Sequence, residues 1–281
     1  MVSKLAAILL TTGFLASASD TPLLPLPSRP SDARAGDAIV SAMAPLTREE
    51  REEQIYTHVM GGNVPDFLRA LVRVADEATV GGVRHRVEYD VTPDYLAIGS
   101  NSDYVLMPMT PLLAQRLADA LQCSLPTQRM VDAIYRSAAL KLRPEPIPPS
   151  AAMVTTQVFL DHNALVKAQR AAYLESFPLG ALVAGNKKDI IISPAIARNL
   201  KPTTPRPVVI YGWHKPDGTP IQPIYNGHGE TYADYSHGVR LVRNVVRVDG
   251  APSTIARVLA DETLSVLLSD EGPIAVPTYR R

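Results

Sequence analysis

Val208-Val209-Ile210-Tyr211-Gly212-Trp213, then Pro216-Asp217-Gly218, then Ile221-Gln222-Pro223-Ile224-Tyr225, is the stretch on which the fold turns. An apolar run of strand length, a Pro-Asp-Gly turn and a second run containing Ile and Tyr predict a hairpin. Residues 181–184, 190–192 and 239–248 are expected to add further strands, all in the C-terminal half. Earlier in the chain, residues 83–89 alternate apolar and polar side chains. Residues 95–98 and 104–107 are strand candidates on either side of the Gly99-Ser100-Asn101-Ser102-Asp103 turn. Helix signals concentrate in the same half. Thr47 and Glu50 form a capping box for a helix to about Val59, stopped by Gly61-Gly62. Val64-Pro65-Asp66 opens a short helix through Phe67, Leu68, Leu71 and Val72. Thr110 caps a helix with Pro111 at its first position and Leu112, Leu113, Leu117 and Leu121 as its apolar stripe. Met130, Val131, Ile134 and Tyr135 mark the next helix, residues 165–174 another, and about 252–268 the last. No internal repeat is visible. The expected class is α+β, with a helical N-terminal half packed on a mostly antiparallel sheet formed largely by the C-terminal half.

The chain opens on Met1-Val2-Ser3-Lys4, continues through a largely apolar stretch at 5–15, and reaches Ala16-Ser17-Ala18, the small residues that signal peptidase accepts. That stretch is too short to span a bilayer. No cysteine follows it to accept a lipid. Residues 1–18 therefore read as a cleavable signal peptide, and the protein as exported to a bacterial periplasm or the extracellular space. Residues 19–44, with Pro22, Pro25, Pro27 and Pro30, read as a Pro-rich linker. Residues 45–281 read as a single globular domain. Pro144, Pro146, Pro148 and Pro149 mark an extended connection near 143–150 that can join two lobes.

With 28 basic and 28 acidic residues, the chain offers no electrostatic footprint for nucleic acid or an anionic membrane. No second segment is long and apolar enough to cross a bilayer. No Gly-rich phosphate loop follows a strand, so a nucleotide cofactor is not expected. The single cysteine, Cys123, allows no internal disulfide, and stability must come from packing. Cys123 is either a small buried residue or a thiol activated near a helix start.

Three of the six histidines fall between His214 and His237. Gly227-His228-Gly229-Glu230-Thr231-Tyr232-Ala233-Asp234-Tyr235-Ser236-His237-Gly238-Val239-Arg240 places titratable groups beside glycines and feeds them into an apolar strand, the usual mounting for a site. Three readings follow. His228, Asp234 and His237 can ligate a divalent metal such as zinc, with Glu230 or a water as base. Alternatively, His237 is a general base held in one tautomer by Asp234, with Ser236 or Cys123 as nucleophile. Adjacency of Ser236 and His237 counts against the serine, since neighbours on a strand face opposite ways. In the third, the histidines only satisfy hydrogen bonds in a packed hairpin. A second polar island, Gly185-Asn186-Lys187-Lys188-Asp189, offers Lys187 and Lys188 to an anionic group. Arg240, on an otherwise apolar strand, must meet a carboxylate, Asp234 among them, or a ligand.

Val91-Thr92-Pro93-Asp94-Tyr95-Leu96-Ala97-Ile98-Gly99, Leu125-Pro126-Thr127, the 185–189 island and Asp234-Tyr235-Ser236-His237-Gly238 resemble strings in a group of exported bacterial proteins of no known activity. The resemblance spans most of the chain beyond residue 18. In that group a His stands at the position of Asn186, which implies that this position is no indispensable ligand.

These observations point to an exported hydrolase acting on an extracytoplasmic polymer such as cell-wall peptide or glycan. The expected catalytic residues are His237, Asp234, His228 and Lys188. Arg240, His214, Lys187 and Tyr235 are expected to bind substrate. The competing class is a carbohydrate- or protein-binding module presenting Trp213, Tyr211, Tyr225, Tyr232 and Tyr235.

Overall fold

Local capping signals set most of the helices. The computed structural model describes residues 21–197 and 205–280, so residues 1–18, expected to be a signal peptide, lie outside the described residues. Helix α1 (Gly36–Ala42) buries Ile39 and Val40, and α2 (Arg48–Met60) begins at the Thr47–Glu50 capping box. Helix α1 and the extended chain before it correct the linker expectation. Leu24, Ile39, Val40 and Met43 all join the main core, and Leu23 bridges to Ala70. Four prolines hid this short apolar cluster from a composition-based reading.

The helix expected after Pro65 is a single 3-10 turn, Asp66–Leu68. The chain then runs into strand β1 (Val72–Val80), which pairs antiparallel with β2 (Val83–Val91) across Gly81-Gly82. Both glycines have positive φ, +57° and +83°, the geometry that lets a two-residue turn match the strand twist. The N-terminal half is therefore not simply helical, because it supplies this hairpin of two nine-residue strands. After a short ribbon, β3 (Ala97–Ile98) with β4 (Val105–Leu106), comes α3 (Pro111–Ala120), capped by Thr110. Its buried face carries Leu113, Ala114, Leu117 and Ala118, whereas Leu112 is exposed. Next come β5 (Cys123–Ser124), α4 (Gln128–Ser137) capped by Thr127, β6 (Leu140–Lys141) and α5 (Thr156–Ala171). Helix α5 starts well before residue 165, so His162 lies within it.

The C-terminal half adds β7 (Val183–Ala184), β8 (Lys188–Ile190), β9 (Pro207–His214), β10 (Pro220–Gly229), β11 (His237–Gly238), β12 (Val242–Val248) and β13 (Ala251–Thr254). Only a six-residue helix, α6 (Ile255–Ala260), and a 3-10 turn at Leu264–Leu267 stand where one long final helix was expected. Two sheets organise the whole. The larger has the order β1-β2-β12-β13, with β5 also on β12; the second runs β10-β9-β8-β11. The class is α+β, and the sheets are antiparallel apart from the parallel β8–β11 and β6–β7 pairs. Among the described residues, no helix is long and apolar enough to cross a membrane.

Residues 239–241 join the two sheets through the core. Leu96 N–H donates to the Val239 carbonyl at 2.7 Å, and Thr92 N–H to that of Leu241 at 3.0 Å. Arg240 is buried between them. It donates to the Thr92 and Val183 carbonyls, at 2.7 Å each, and its Nε lies 4.0 Å from Asp189 Oδ1. Tyr95 completes this knot: its ring packs under the Arg240 guanidinium and its hydroxyl donates to Asp189 Oδ2 at 2.7 Å. Burial pushes the Asp189 carboxyl up to about 6, against the pull of Arg240 and Tyr95.

Candidate functional site: a buried histidine beside an ionised aspartate

The parallel pairing of β11 with β8 creates the site. His237 lies opposite Lys188, and β9 flanks the same strand with Gly212 opposite Lys188. Two segments far apart in sequence, 185–189 and 228–238, are thereby brought side by side.

Asp234 is the anchor of the loop entering β11. Its Oδ1 accepts from Ser236 N at 2.8 Å and Ser236 Oγ at 2.6 Å, and its Oδ2 accepts from the Tyr232 hydroxyl at 3.0 Å. The backbone N–H of His237 donates to the Asp234 carbonyl at 3.0 Å. Burial opposes ionisation of this carboxylate. The neighbouring His237 ring, the two Ser236 hydrogen bonds and Lys188 outweigh that and hold its pKa below the ordinary value.

His237 is fully buried, and neither ring nitrogen has a hydrogen-bond partner. Asp234 therefore acts on the imidazole through charge, not through the tautomer-fixing hydrogen bond expected from the sequence. Burial, against the favourable field of Asp234 and with the cations of Lys188 and Lys187 nearby, pushes His237 down to about 4. At neutral pH it is an uncharged base beside an ionised acid. The Tyr232 ring meets it edge-on at 5.7 Å, and His228 stacks on Tyr232 at 3.9 Å. Solvent reaches this group at Lys188, His228 and Tyr232, which are partly exposed.

The two lysines of the island divide the work. Lys188 carries its ammonium 5.1 Å from the centre of the Trp213 ring, and burial lowers its pKa. Lys187 is wholly buried; its Nζ donates to the Tyr235 carbonyl and lies 3.1 Å from His162 Nδ1. Burial pushes Lys187 down to about 7, while burial and the Lys187 charge push His162 to about 2. The His162 Nε2 and Trp213 Nε1 atoms are buried without partners. His162 was missed because the helix carrying it was placed too far along the chain.

Other expected site residues lie elsewhere. Arg240 faces Asp189 and backbone carbonyls in the core, not Asp234. Tyr235 is buried against Phe159 and Trp213, and its hydroxyl bonds the backbone of Ile147. Asn186 donates weakly to Asp94, at 3.5 Å. His214 belongs to a different pocket. Its Nε2 is 2.9 Å from Asp132 Oδ1, which also accepts from the Tyr211 hydroxyl at 2.9 Å, beside Lys141 and Asp217. The cause is local. Gly212 and Trp213 both have positive φ, +103° and +56°, a conformation that side chains rarely adopt. Alternation along β9 breaks there, so Tyr211 and His214 meet the same carboxylate while Trp213 turns to Lys188.

Ser236 is buried and committed to Asp234, which leaves no exposed hydroxyl nucleophile at this position. Cys123 lies on the other sheet, opposite Arg243, and burial pushes its thiol up to about 12. Alkylation of the folded protein by iodoacetamide at pH 7.5 should therefore be at least a hundredfold slower than that of a free thiol, read by mass spectrometry. Labelling at the free-thiol rate would show an accessible, activated cysteine.

Among the described residues, no three His, Cys, Asp or Glu side chains converge on a point that can hold a metal ion. The His228–Asp234–His237 set is therefore not gathered around a zinc position. No known family model, curated protein or solved structure matches the chain.

Proposed function

We propose that the protein is an exported hydrolase that cuts an extracytoplasmic polymer, with cell-wall peptide or glycan as the substrate class. Export rests on the pattern of residues 1–18. The single observation that carries the hydrolytic reading is His237: a neutral imidazole with both nitrogens unpartnered, held beside an ionised Asp234. Buried polar atoms without partners are costly, and are retained where a water or reactant completes them. His237 takes a proton from water, whose oxygen bonds to the acyl or anomeric carbon. The proton then passes to the departing nitrogen or oxygen as the scissile bond breaks. Asp234 stabilises the transient imidazolium by charge, and Lys188, at the solvent side, faces the negative charge that develops on the substrate oxygen.

Dye release from labelled cell-wall sacculi tests this. His237→Ala should lower release by about 10²–10⁴-fold with the fold intact. Asp234→Asn should lower it comparably and cost about 1–3 kcal/mol through its hydrogen bonds. It should also move the acid limb of the pH–rate profile to lower pH, because the Asp234 charge raises the His237 pKa. Two destabilised variants with unchanged release per folded molecule would sink the proposal.

A second reading has its own observation. Tyr225, His228 and Tyr232 form a ladder, with ring centres 5.4 and 3.9 Å apart, partly exposed along and beyond edge strand β10. Such a row suits sugar stacking. Sacculus binding without release, lost in Tyr225→Ala, would favour a binding module.

A further inference from the structure

We propose that the cavity between α2, residues 107–109 and the 231–233 loop is a recognition site for an anionic amphiphile, with the apolar body inside and its carboxylate at Arg51. As a substrate-recognition pocket the inference rests on the hydrolase reading; as a binding site it stands alone.

The cavity holds about 260 Å³ and is walled by Met43, Ile55, Met107, Met109, Val154 and Phe159. An apolar cavity of about 150 Å³ stays dry and admits benzene, so this one has room for a ring or chain of greater length. The cleft is open to solvent on the side of Thr231 and Val154, so its apolar walls face water until a guest of matching polarity covers them. Methionine side chains re-pack readily around an irregular guest.

The polar mouth gives the guest its charge. Arg48, Arg51 and Glu52 line it. Glu52 is already used: its two oxygens accept from Thr110 N at 2.7 Å and Thr110 Oγ1 at 2.9 Å, which ties α2 to the start of α3. Arg48 pairs with the exposed Glu49. Arg51 donates one hydrogen bond, to the Val154 carbonyl at 3.1 Å, and forms no ion pair among the described residues. Its guanidinium stands 6.0 Å from the centre of the Phe159 ring, where burial lowers its pKa. A cation fixed over an aromatic wall of an apolar cavity, with donors left over, matches a carboxylate joined to a hydrocarbon.

Tyr232 links this cavity to the site. The residue is part of the cavity wall, and its hydroxyl holds Asp234 Oδ2. An occupant therefore rests on the residue that positions the carboxylate beside His237.

Octanoate and its neutral counterpart octanol are the probes, read by calorimetry and by melting temperature. Wild type should bind octanoate at least tenfold more tightly than octanol. Arg51→Gln should abolish that preference. Val154→Trp, at a partly exposed wall, should weaken both ligands tenfold or more; Ile55→Phe is the second filling variant should the first not melt cooperatively. His237→Ala should bind octanoate like wild type. Absence of octanoate binding at 10 mM, equal affinity for the two probes, or an undiminished preference in Arg51→Gln overturns the proposal. Octanoate binding without any sacculus hydrolysis would instead remove the hydrolase reading and leave the cavity site standing.

Discussion

A chain lacking residues 21–43 should not fold. Leu24, Ile39, Val40 and Met43 are each at most 4% exposed and pack in the main core. Truncating a buried Leu, Ile or Met to Ala costs about 2–5 kcal/mol. Removing this set exposes its partners on β4 and α5 as well, a loss comparable to the whole stability of an ordinary domain. The expected result is a product without a cooperative melting transition, against a sharp one for the intact chain. Ile39→Ala alone should lower stability by about 2–5 kcal/mol in urea unfolding, with little change in slope. Cooperative melting of the deleted chain at the temperature of the intact one would show that the segment is a tether, as its composition suggested.

The second large effect concerns Arg240. Arg240→Met should cost about 3–5 kcal/mol, because it strands the buried Asp189 carboxylate and leaves two carbonyls with one partner fewer. The loss should depend on pH, with a definite sign. The carboxyl of Asp189 already sits at about 6 in the folded protein, above its ordinary 3.8. Its folded state holds the proton more tightly than the unfolded chain does, so this group contributes stability at low pH and loses it as pH rises through 3.8 to 6. Without Arg240 the folded pKa rises further and the window extends upward. The stability gap between variant and wild type should therefore be smaller at pH 5 than at pH 8. Arg240→Met combined with Asp189→Asn should recover much of the deficit at pH 8. A gap independent of pH would show that the arginine acts through packing and its carbonyl bonds alone.

What was legible in the sequence followed the range of each signal. Thr47 with Glu50 and Thr110 before Pro111 mark helix starts because a cap acts within three residues of itself. The α+β class was readable for the same reason, from apolar runs and turns. Strand β2 was readable from the alternation at 83–89, but its partner β1 was not, although Gly81-Gly82 is a strong turn signal, because Phe67, Leu68, Leu71 and Val72 have helical spacing. Asp234, His237 and Lys188 were readable as titratable groups beside glycines, and the parallel β8–β11 pair brings them together. Asp132 was not readable as the partner of His214. Their meeting depends on two left-handed residues in β9, and a Trp at positive φ has no local sequence signature. His162 likewise comes into view only through the packing of α5 on Trp213.

Trp213 is the chain's only tryptophan, and it is buried between Lys188, His162 and Tyr235. Indole fluorescence of the intact molecule therefore originates entirely within this cluster, with no background from elsewhere in the fold. Its emission should be blue-shifted and should respond when the ammonium of Lys188 moves or loses its proton. The protein thus carries its own optical reporter, and ligands for the site can be screened on unlabelled material before any reaction is known.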